Sequence, residues 1–386
     1  RTKDYTITRK STAVPYSEYE GEIVYLGTPE VDDYIKETLQ LTNYMAVNAF
    51  AQYEDTFNEK HYFKALAGYN YEQQTYKSTY TQRYGLITPD VNHINFALGE
   101  NMVVSSGGNK WRYAGAFFRL NYGYDDRYLF EVNGRYDGSS KFPNNAQWGF
   151  FPSVSAAWRI SQEHWWNINP DAIQNLKVRA SFGELGNSNV SPYSYLEKFT
   201  FGTSGRFLNG QAKLRTTSAP SIIPDNIGWE RSRTLDVGLD ADFFRGRLSF
   251  VGDYYIRKTL DMYTVGPTLP DTFGATSPKG NYADMSTYGW EVSLSWNDSF
   301  QLGNKPFDYG IKATLADYYS IIDRYYNASK KLSDYYEGMR VGEMWGFICN
   351  GLFQNQAEID AAFDGLGYKN TYAKVSDDYR VEPGHM

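Results

Sequence analysis

Hydrophobic and polar positions alternate on both sides of a centre rich in Gly, Ser, Asn and Pro in the stretch YLFEVNGRYDGSSKFPNNAQWGFFPSVSAAWRIS, Tyr128 to Ser161. This pattern predicts a β-hairpin with a loop. In the first arm Tyr128, Phe130, Val132 and Tyr136 share one face, and Glu131, Asn133, Arg135 and Asp137 share the other, because successive strand side chains point to opposite sides. In the second arm Val154, Ala156, Trp158 and Ile160 oppose Ser153, Ser155, Arg159 and Ser161. Such a two-faced sheet hides its apolar side in a soluble core, or turns it to lipid with the polar side toward a wet lumen.

The same alternation recurs along the chain. Leu39, Leu41, Met45, Val47, Ala49 and Ala51 share one parity, and after the turn EDTFNEK so do Phe63, Ala65, Ala67, Tyr69 and Tyr71. Ala116, Phe118, Leu120 and Tyr122 lead through the tight turn DDR into the hairpin at Tyr128. Further strands are expected at Leu176 to Gly183, Thr234 to Phe243, Leu248 to Met262, Tyr288 to Trp296 and Phe307 to Tyr319. Residues 1–33 carry only one short alternating run, Glu22 to Leu26, and beyond Ile321 the pattern reads as loop with a short helix around Ala357 to Phe363.

The connections decide between core and lipid. Short turns (EDTFNEK, DDR, FRGR, NDSFQLGNKP) alternate with longer irregular segments at Gln73 to Lys110, Gly138 to Trp148, Asn187 to Trp229 and Thr264 to Ser286. One end of the sheet therefore carries tight turns and the other a canopy of loops, as in outer-membrane barrels. A Greek-key sandwich has loops at both ends without that regularity. About ten strands of near ten residues suit a tilted membrane span better than the usual five or six of a soluble strand. The fold class expected is all-β, an antiparallel transmembrane barrel.

Composition narrows the function. The 386 residues carry a formal net charge of -7 with pI near 5.3, which argues against a basic nucleic-acid surface. Mean hydropathy is -0.58, and no run of about 18 apolar residues marks a membrane helix. Barrel strands alternate, so such an average is compatible with a membrane barrel. Aromatic residues make up 17% of the chain, with 35 Tyr, 23 Phe and 9 Trp, as expected for girdles at two lipid interfaces. Glycan-binding proteins share that enrichment. Trp165 and Trp166 fit a belt on the short-turn side. The single Cys349 permits no internal disulfide, and His61, His93, His164 and His385 show no ligand spacing, so neither a metal site nor a cofactor is expected.

No GxSxG elbow, Ser/His/Asp set or pocket-like carboxylate pair is evident, so no catalytic residue is assigned and an enzyme is not expected. Arg135, Arg159, Arg179, Asp236 and Asp240 are read as lumen-facing residues of strands. Candidate substrate contacts are the loop residues Asn187, Asn189, Tyr193, Tyr195, Phe207, Tyr263 and Phe273. The aromatics equally suit packing within the canopy or against a partner, and asparagine is a common turn residue.

The segments DGSSKF…WGFFPSVSAAWRIS, LKVRASFGELGNSNV, WERSRTLDVGLDADFFRGRLSFVGDYYIRKTLDMY, YGWEVSLSW and VGEMWGFICNGLFQNQAEI closely resemble SusC-like TonB-dependent transporters of Bacteroidetes outer membranes, over most of the chain from about Thr38. Lys141 stands where that family commonly has arginine. The resemblance implies a 22-stranded barrel with an N-terminal plug, energised by TonB–ExbB–ExbD through a TonB box and sited in the outer membrane. It implies import of a large glycan or oligopeptide beneath a SusD-like surface lipoprotein that closes as a lid, with a dimer of such pairs as an assembly it allows. Residues 1–386 then form a single partial barrel domain of its later half, in which plug, TonB box and last strands are not recognisable. A passive porin or structural barrel, a secreted carbohydrate-binding β protein and an outer-membrane hydrolase are the competing readings.

Overall fold

A computed structural model describes residues 2–10, 16–19, 22–25, 34–86, 93–203, 215–329, 331–346 and 351–365. Eleven strands form one sheet in which every hydrogen-bonded pair is antiparallel. In chain order the strands are β1 (Thr2–Lys10), β2 (Tyr16–Tyr19), β3 (Glu22–Tyr25), β4 (Tyr34–Phe57), β5 (His61–Tyr84), β6 (Met102–Tyr124), β7 (Tyr128–Ser139), β8 (Trp148–Arg159), β9 (Ile173–Asn187), β10 (Phe201–Thr203), β11 (Arg215–Thr217), β12 (Glu230–Phe243), β13 (Leu248–Val265), β14 (Lys279–Leu302) and β15 (Lys305–Arg324). The large sheet runs β1-β4-β5-β6-β7-β8-β9-β12-β13-β14-β15, and the pairs β2–β3 and β10–β11 stand apart from it. These elements belong to a unit ending at Val341. In a second unit, the helix α1 (Gln356–Gly365) begins with a side-chain cap. There the Glu358 N–H, a donor that a helix start leaves open, donates to Asn355 Oδ1 at 3.0 Å, and Asn355 Nδ2 donates to the Glu358 carboxylate at 3.2 Å. No helix among the described residues is long and apolar enough to cross a membrane.

Register turns the alternation into two continuous surfaces. Tyr53, Ala65, Leu120, Val132, Val154, Phe182, Leu235, Ile256, Tyr288 and Tyr319 are successive cross-strand partners from β4 to β15. On the opposite face Lys64, Asn121, Glu131, Ser155, Ser181 and Asp236 form a polar row from β5 to β12. Leu120, Val132, Val154, Phe182 and Leu235 remain 41 to 47% exposed. A soluble sandwich would bury such a row in its core, so its natural solvent is hydrocarbon.

Aromatic pairs bracket this band. At the short-turn end Tyr124 stacks on Tyr128, Tyr128 on Trp158, and Trp158 meets Trp165 edge-on, with centroids 6.4 to 6.5 Å apart. At the other end Tyr136 stacks on Trp148 at 5.1 Å. At roughly 3.3 Å per residue and a tilt near 40°, the separation of Tyr128 and Tyr136 along β7 spans on the order of 20 Å of membrane height, close to the apolar band of a membrane barrel.

The sequence pattern places several boundaries incorrectly. Gln73 to Lys110, expected as a loop, is mostly strand, because β5 continues to Tyr84 and β6 begins at Met102. Thr264 to Ser286 likewise shrinks, since β13 reaches Val265 and β14 starts at Lys279. The turn NDSFQLGNKP reduces to Gly303 and Asn304, Gly303 taking a left-handed φ of 66°. Instead of strands near ten residues, β4, β5 and β14 have 24 each, and Thr2–Lys10 adds a strand at the sheet edge that the sequence reading left unassigned. The strands outrun the membrane, and a ladder in water needs no hydropathy contrast between its faces. The alternation of short and long connections survives. β4–β5, β6–β7, β12–β13 and β14–β15 join by tight turns at one end, while residues 85–101, 140–147, 188–229 and 266–278 connect strands at the other.

The turn at Asp125 to Arg127 is tied down by one carboxylate. Buried Glu163 accepts from Arg127 Nη1 at 3.1 Å, from Trp158 Nε1 at 2.9 Å and from the Tyr128 hydroxyl. The Tyr128 hydrogen bond first, then those of Trp158 and Arg127, lower the Glu163 pKa. A lowered carboxyl pKa gives stability that is present above the unfolded value near 4.3 and is lost as pH falls through the folded value. Glu163→Gln is therefore expected to destabilise the protein at pH 7, with the difference from wild type shrinking as pH falls below about 4.3. Thermal unfolding followed across that range checks it, and a difference independent of pH would contradict the assignment.

Candidate functional site

The polar face carries an ion network in its middle. Arg179 on β9 sits among three aspartates, with Nη2 donating to Asp253 Oδ2 at 2.7 Å, Nε to Asp240 Oδ1 at 3.1 Å and Nη1 3.5 Å from Asp236 Oδ1. Lys177 Nζ adds a 2.6 Å pair to Asp240. The strand glycine Gly238 makes this approach feasible, because a Cβ there would lie 2.5 Å from both Arg179 Cζ and Asp253 Oδ1. All four side chains remain 19 to 30% exposed, so water screens the network. Arg179→Met is expected to cost about 2 kcal/mol, below the figure for fully buried pairs, because three carboxylates lose their shared counter-ion. Denaturant unfolding of the full-length protein in detergent checks this, and Asp236→Asn, which relieves repulsion, should cost less.

Arg135 and Asp137, next along β7, pair at 3.0 Å. Arg159 lies at the short-turn end of the same face, where it binds the Asp126 carboxylate. The five residues expected to line a lumen therefore share the polar face but form three separate groups: Arg179 with Asp236 and Asp240, Arg135 with Asp137, and Arg159 with the turn.

Above the aromatic bracket at the long-loop end, the polar face rises into a packed canopy. Phe142, Phe151, Val190, Ile227 and Trp229 form a buried cluster joining residues 140–147 and 188–229 to β8. The Trp229 ring lies 5.2 Å from those of Phe142 and Phe151, and its Nε1 donates to Gln147 O at 3.0 Å. Asn281 on β14 pins the same loop, donating to Gly228 O at 3.3 Å and accepting from the Gly228 N–H at 2.8 Å.

Most of the candidate substrate contacts have structural employment here. Tyr195 and Tyr263 pack against the buried cluster. The Tyr193 hydroxyl accepts from the Lys110 N–H at 3.0 Å, tying a residue at φ 68° to β6. Asn187 accepts from the Asn189 N–H at 3.0 Å, an Asx turn at the end of β9, and reaches Glu230 at 3.4 Å. Phe273 stands 59% exposed, away from the cluster. Phe207 and Cys349 lie outside the described residues.

A surface the sequence reading missed lies on the upper parts of β4, β5 and β6. There Tyr44, Asn48, Asn70, Glu72, Tyr76, Tyr80, Trp111 and Tyr113 share the polar face by register. Together with Arg135, Ser139, Lys141 and Ser188, part of this wall encloses a cavity of about 490 Å³. The available signal is in QQTYKSTYTQRY, where Tyr76, Tyr80 and Tyr84 fall on one parity and Thr75, Thr79 and Thr81 on the other. It is an alternation of residue type with little contrast in hydropathy.

An antiparallel wall with one lipid face, two aromatic belts, tight turns at one end and packed loops at the other defines an outer-membrane β-barrel protein. The β-barrel model of the TonB dependent receptor-like family matches residues 1–368, and the chain belongs to that family. TonB-dependent receptor P26 of Formosa agariphila is 33% identical over 247 residues, 63% of this chain and 24% of that protein. TonB-dependent receptor SusC of Bacteroides thetaiotaomicron is 32% identical over 181 residues, 46% of this chain and 18% of that one. The chain thus spans about a quarter or less of the length of these relatives. Among solved structures, the RagAB peptide importer in its open-open state superposes with a TM-score of 0.69 at 21% identity, covering 84% of this chain and 33% of that one. That likeness concerns the fold. The chain is therefore SusC-like barrel wall of the outer membrane, its tight turns at the periplasmic end and its canopy outside.

Proposed function

We propose that the chain forms part of the wall of a TonB-energised importer. It admits a large polar nutrient, a glycan or oligopeptide, while a SusD-like lipoprotein closes over the long-loop end. The observation that carries this reading is the continuity of the polar face. It runs from Arg159 near the periplasmic turns, past the Arg179 network, to the aromatic and amide wall beneath the canopy. Such a route supplies polar contacts along its length while lipid is met only by the opposite face. The work is binding and gating, without covalent change. TonB-dependent receptor SusC among the relatives and the RagAB peptide importer among the structures support the transporter reading.

Uptake of labelled nutrient by cells expressing the full-length protein tests it. Dissipating the proton gradient that drives TonB should abolish import, and native purification should retain a lipoprotein. Uptake that persists without the gradient would identify a passive porin. Repeated isolation of a lone barrel under mild conditions would count against the lid.

A further inference from the structure

The cavity beneath the canopy holds an amide oxygen with no hydrogen-bond partner and an ammonium with no carboxylate partner among the described residues. Asn70 is 8% exposed. Its Nδ2 donates to Asn48 Oδ1, while its Oδ1 has no partner. An orphaned buried carbonyl is costly in a finished wall. Facing the same space is Lys141, in the segment after β7. Its Nζ donates to Ser188 O at 3.3 Å and lies 5.5 Å above the Trp111 ring, yet no carboxylate pairs with it among the described residues. Burial alone pushes the Lys141 ammonium pKa down. Arg135, the other cation of the cavity, is already matched by Asp137. Glu72 has one oxygen engaged by the Tyr44 hydroxyl at 2.9 Å, leaving acceptor capacity beside Asn70.

We propose that this cavity is a subsite for an acidic sugar unit, its ring against Trp111, hydroxyls donating to Asn70 Oδ1 and Glu72, and its anionic group on Lys141. The inference rests on the import reading and narrows its cargo to an anionic glycan. A pyranose hydroxyl donates and accepts at once, so adjacent hydroxyls can serve the two acceptors side by side. The ring's apolar face suits an indole, and an anion offsets an ammonium that burial has left without one. An acidic peptide side chain could meet Lys141 and its backbone N–H groups could donate, but its methylene stem presents no ring face to Trp111 beside the anion. The 490 Å³ of the cavity lies within the usual range for small-ligand sites.

Calorimetry on the natively purified full-length protein decides it, with tetragalacturonate, neutral cellotetraose and tetraglutamate as probes. Tetragalacturonate is expected to bind about ten-fold tighter than cellotetraose, the effect of one charge-assisted contact. Lys141→Gln should remove that preference without altering the melting temperature, and Trp111→Ala should weaken both sugars. Equal affinity for both sugars with Lys141→Gln silent would overturn the proposal, as would tetraglutamate binding as tightly as tetragalacturonate. Failure of all three probes, with gradient-dependent uptake intact, would remove this subsite and leave the import reading standing. Uptake indifferent to the gradient would instead remove the importer, whatever the probes do.

Discussion

Trp229→Ala is expected to open the canopy by about 3 kcal/mol while leaving the wall below it folded, because Trp-to-Ala changes in packed clusters cost about 3–5 kcal/mol and part of this one can collapse. The indole is 7% exposed, touches Phe142 and Phe151, and donates its N–H to Gln147 O. Removing it leaves a cavity and two unpacked rings in one place, while Gln147 O keeps the Ser139 N–H at 3.0 Å. The cluster joins two loops to one strand, whereas the ladders β4 to β15 depend on their own hydrogen bonds. Unfolding is thus expected to be local. Hydrogen exchange at Ala146 and Trp229 itself, whose neighbours lie in the cluster, should accelerate by on the order of 100-fold, with amides of β8 such as Ser155 unchanged. Phe273→Ala, at an exposed position, is the control and should be silent. Unaltered exchange in Trp229→Ala would mean that the loops are held by the Asn281 and Asn226 hydrogen bonds instead. If the mouth is a gate, the same variant should also change the rate of nutrient entry.

The wall was legible in the sequence wherever it touches lipid. Val132, Val154 and Leu235 stand opposite Asn133, Ser153 and Asp236 in hydropathy, and the period of two follows. Past the aromatic bracket both faces meet water, so Tyr76 and Thr75 differ little in hydropathy although the ladder continues through them. What persists there is strand preference, carried by Thr, Tyr and Val. A reading weighted toward residue type would have extended β5 and β6. The site was less legible for a different reason. Tyr195 and Tyr263 drew notice as loop aromatics, but only tertiary packing assigns them to the Trp229 cluster. Asn70 and Lys141 lie far apart in sequence and meet across one cavity, a proximity that neither local pattern contains. The parity of Arg179 groups it with the polar residues of its own strand, yet its three aspartates come from two other strands in register.

Val132→Arg should destabilise the folded barrel by about 2–4 kcal/mol in a bilayer, the cost of a cation at the lipid-facing midplane. Val132 lies midway between Tyr128 and Tyr136, the residues that mark the two aromatic brackets on β7, and is 43% exposed. In a water-soluble protein an arginine at so exposed a position would be nearly neutral, so the size of the effect reports the solvent of this face. The adjacent Asn133→Arg provides the matched comparison. Asn133 points to the opposite side, beside Arg119, whose Nε donates to it at 2.8 Å, and Glu131, which accepts its Nδ2 at 2.6 Å. A second cation there meets water and a carboxylate, and its cost should stay below about 1 kcal/mol. Urea unfolding of the full-length protein in phosphatidylcholine vesicles measures both. Equal costs at Val132 and Asn133 would mean that the apolar row is not the lipid face, and the two-surface reading of every strand from β4 to β15 would fall with it.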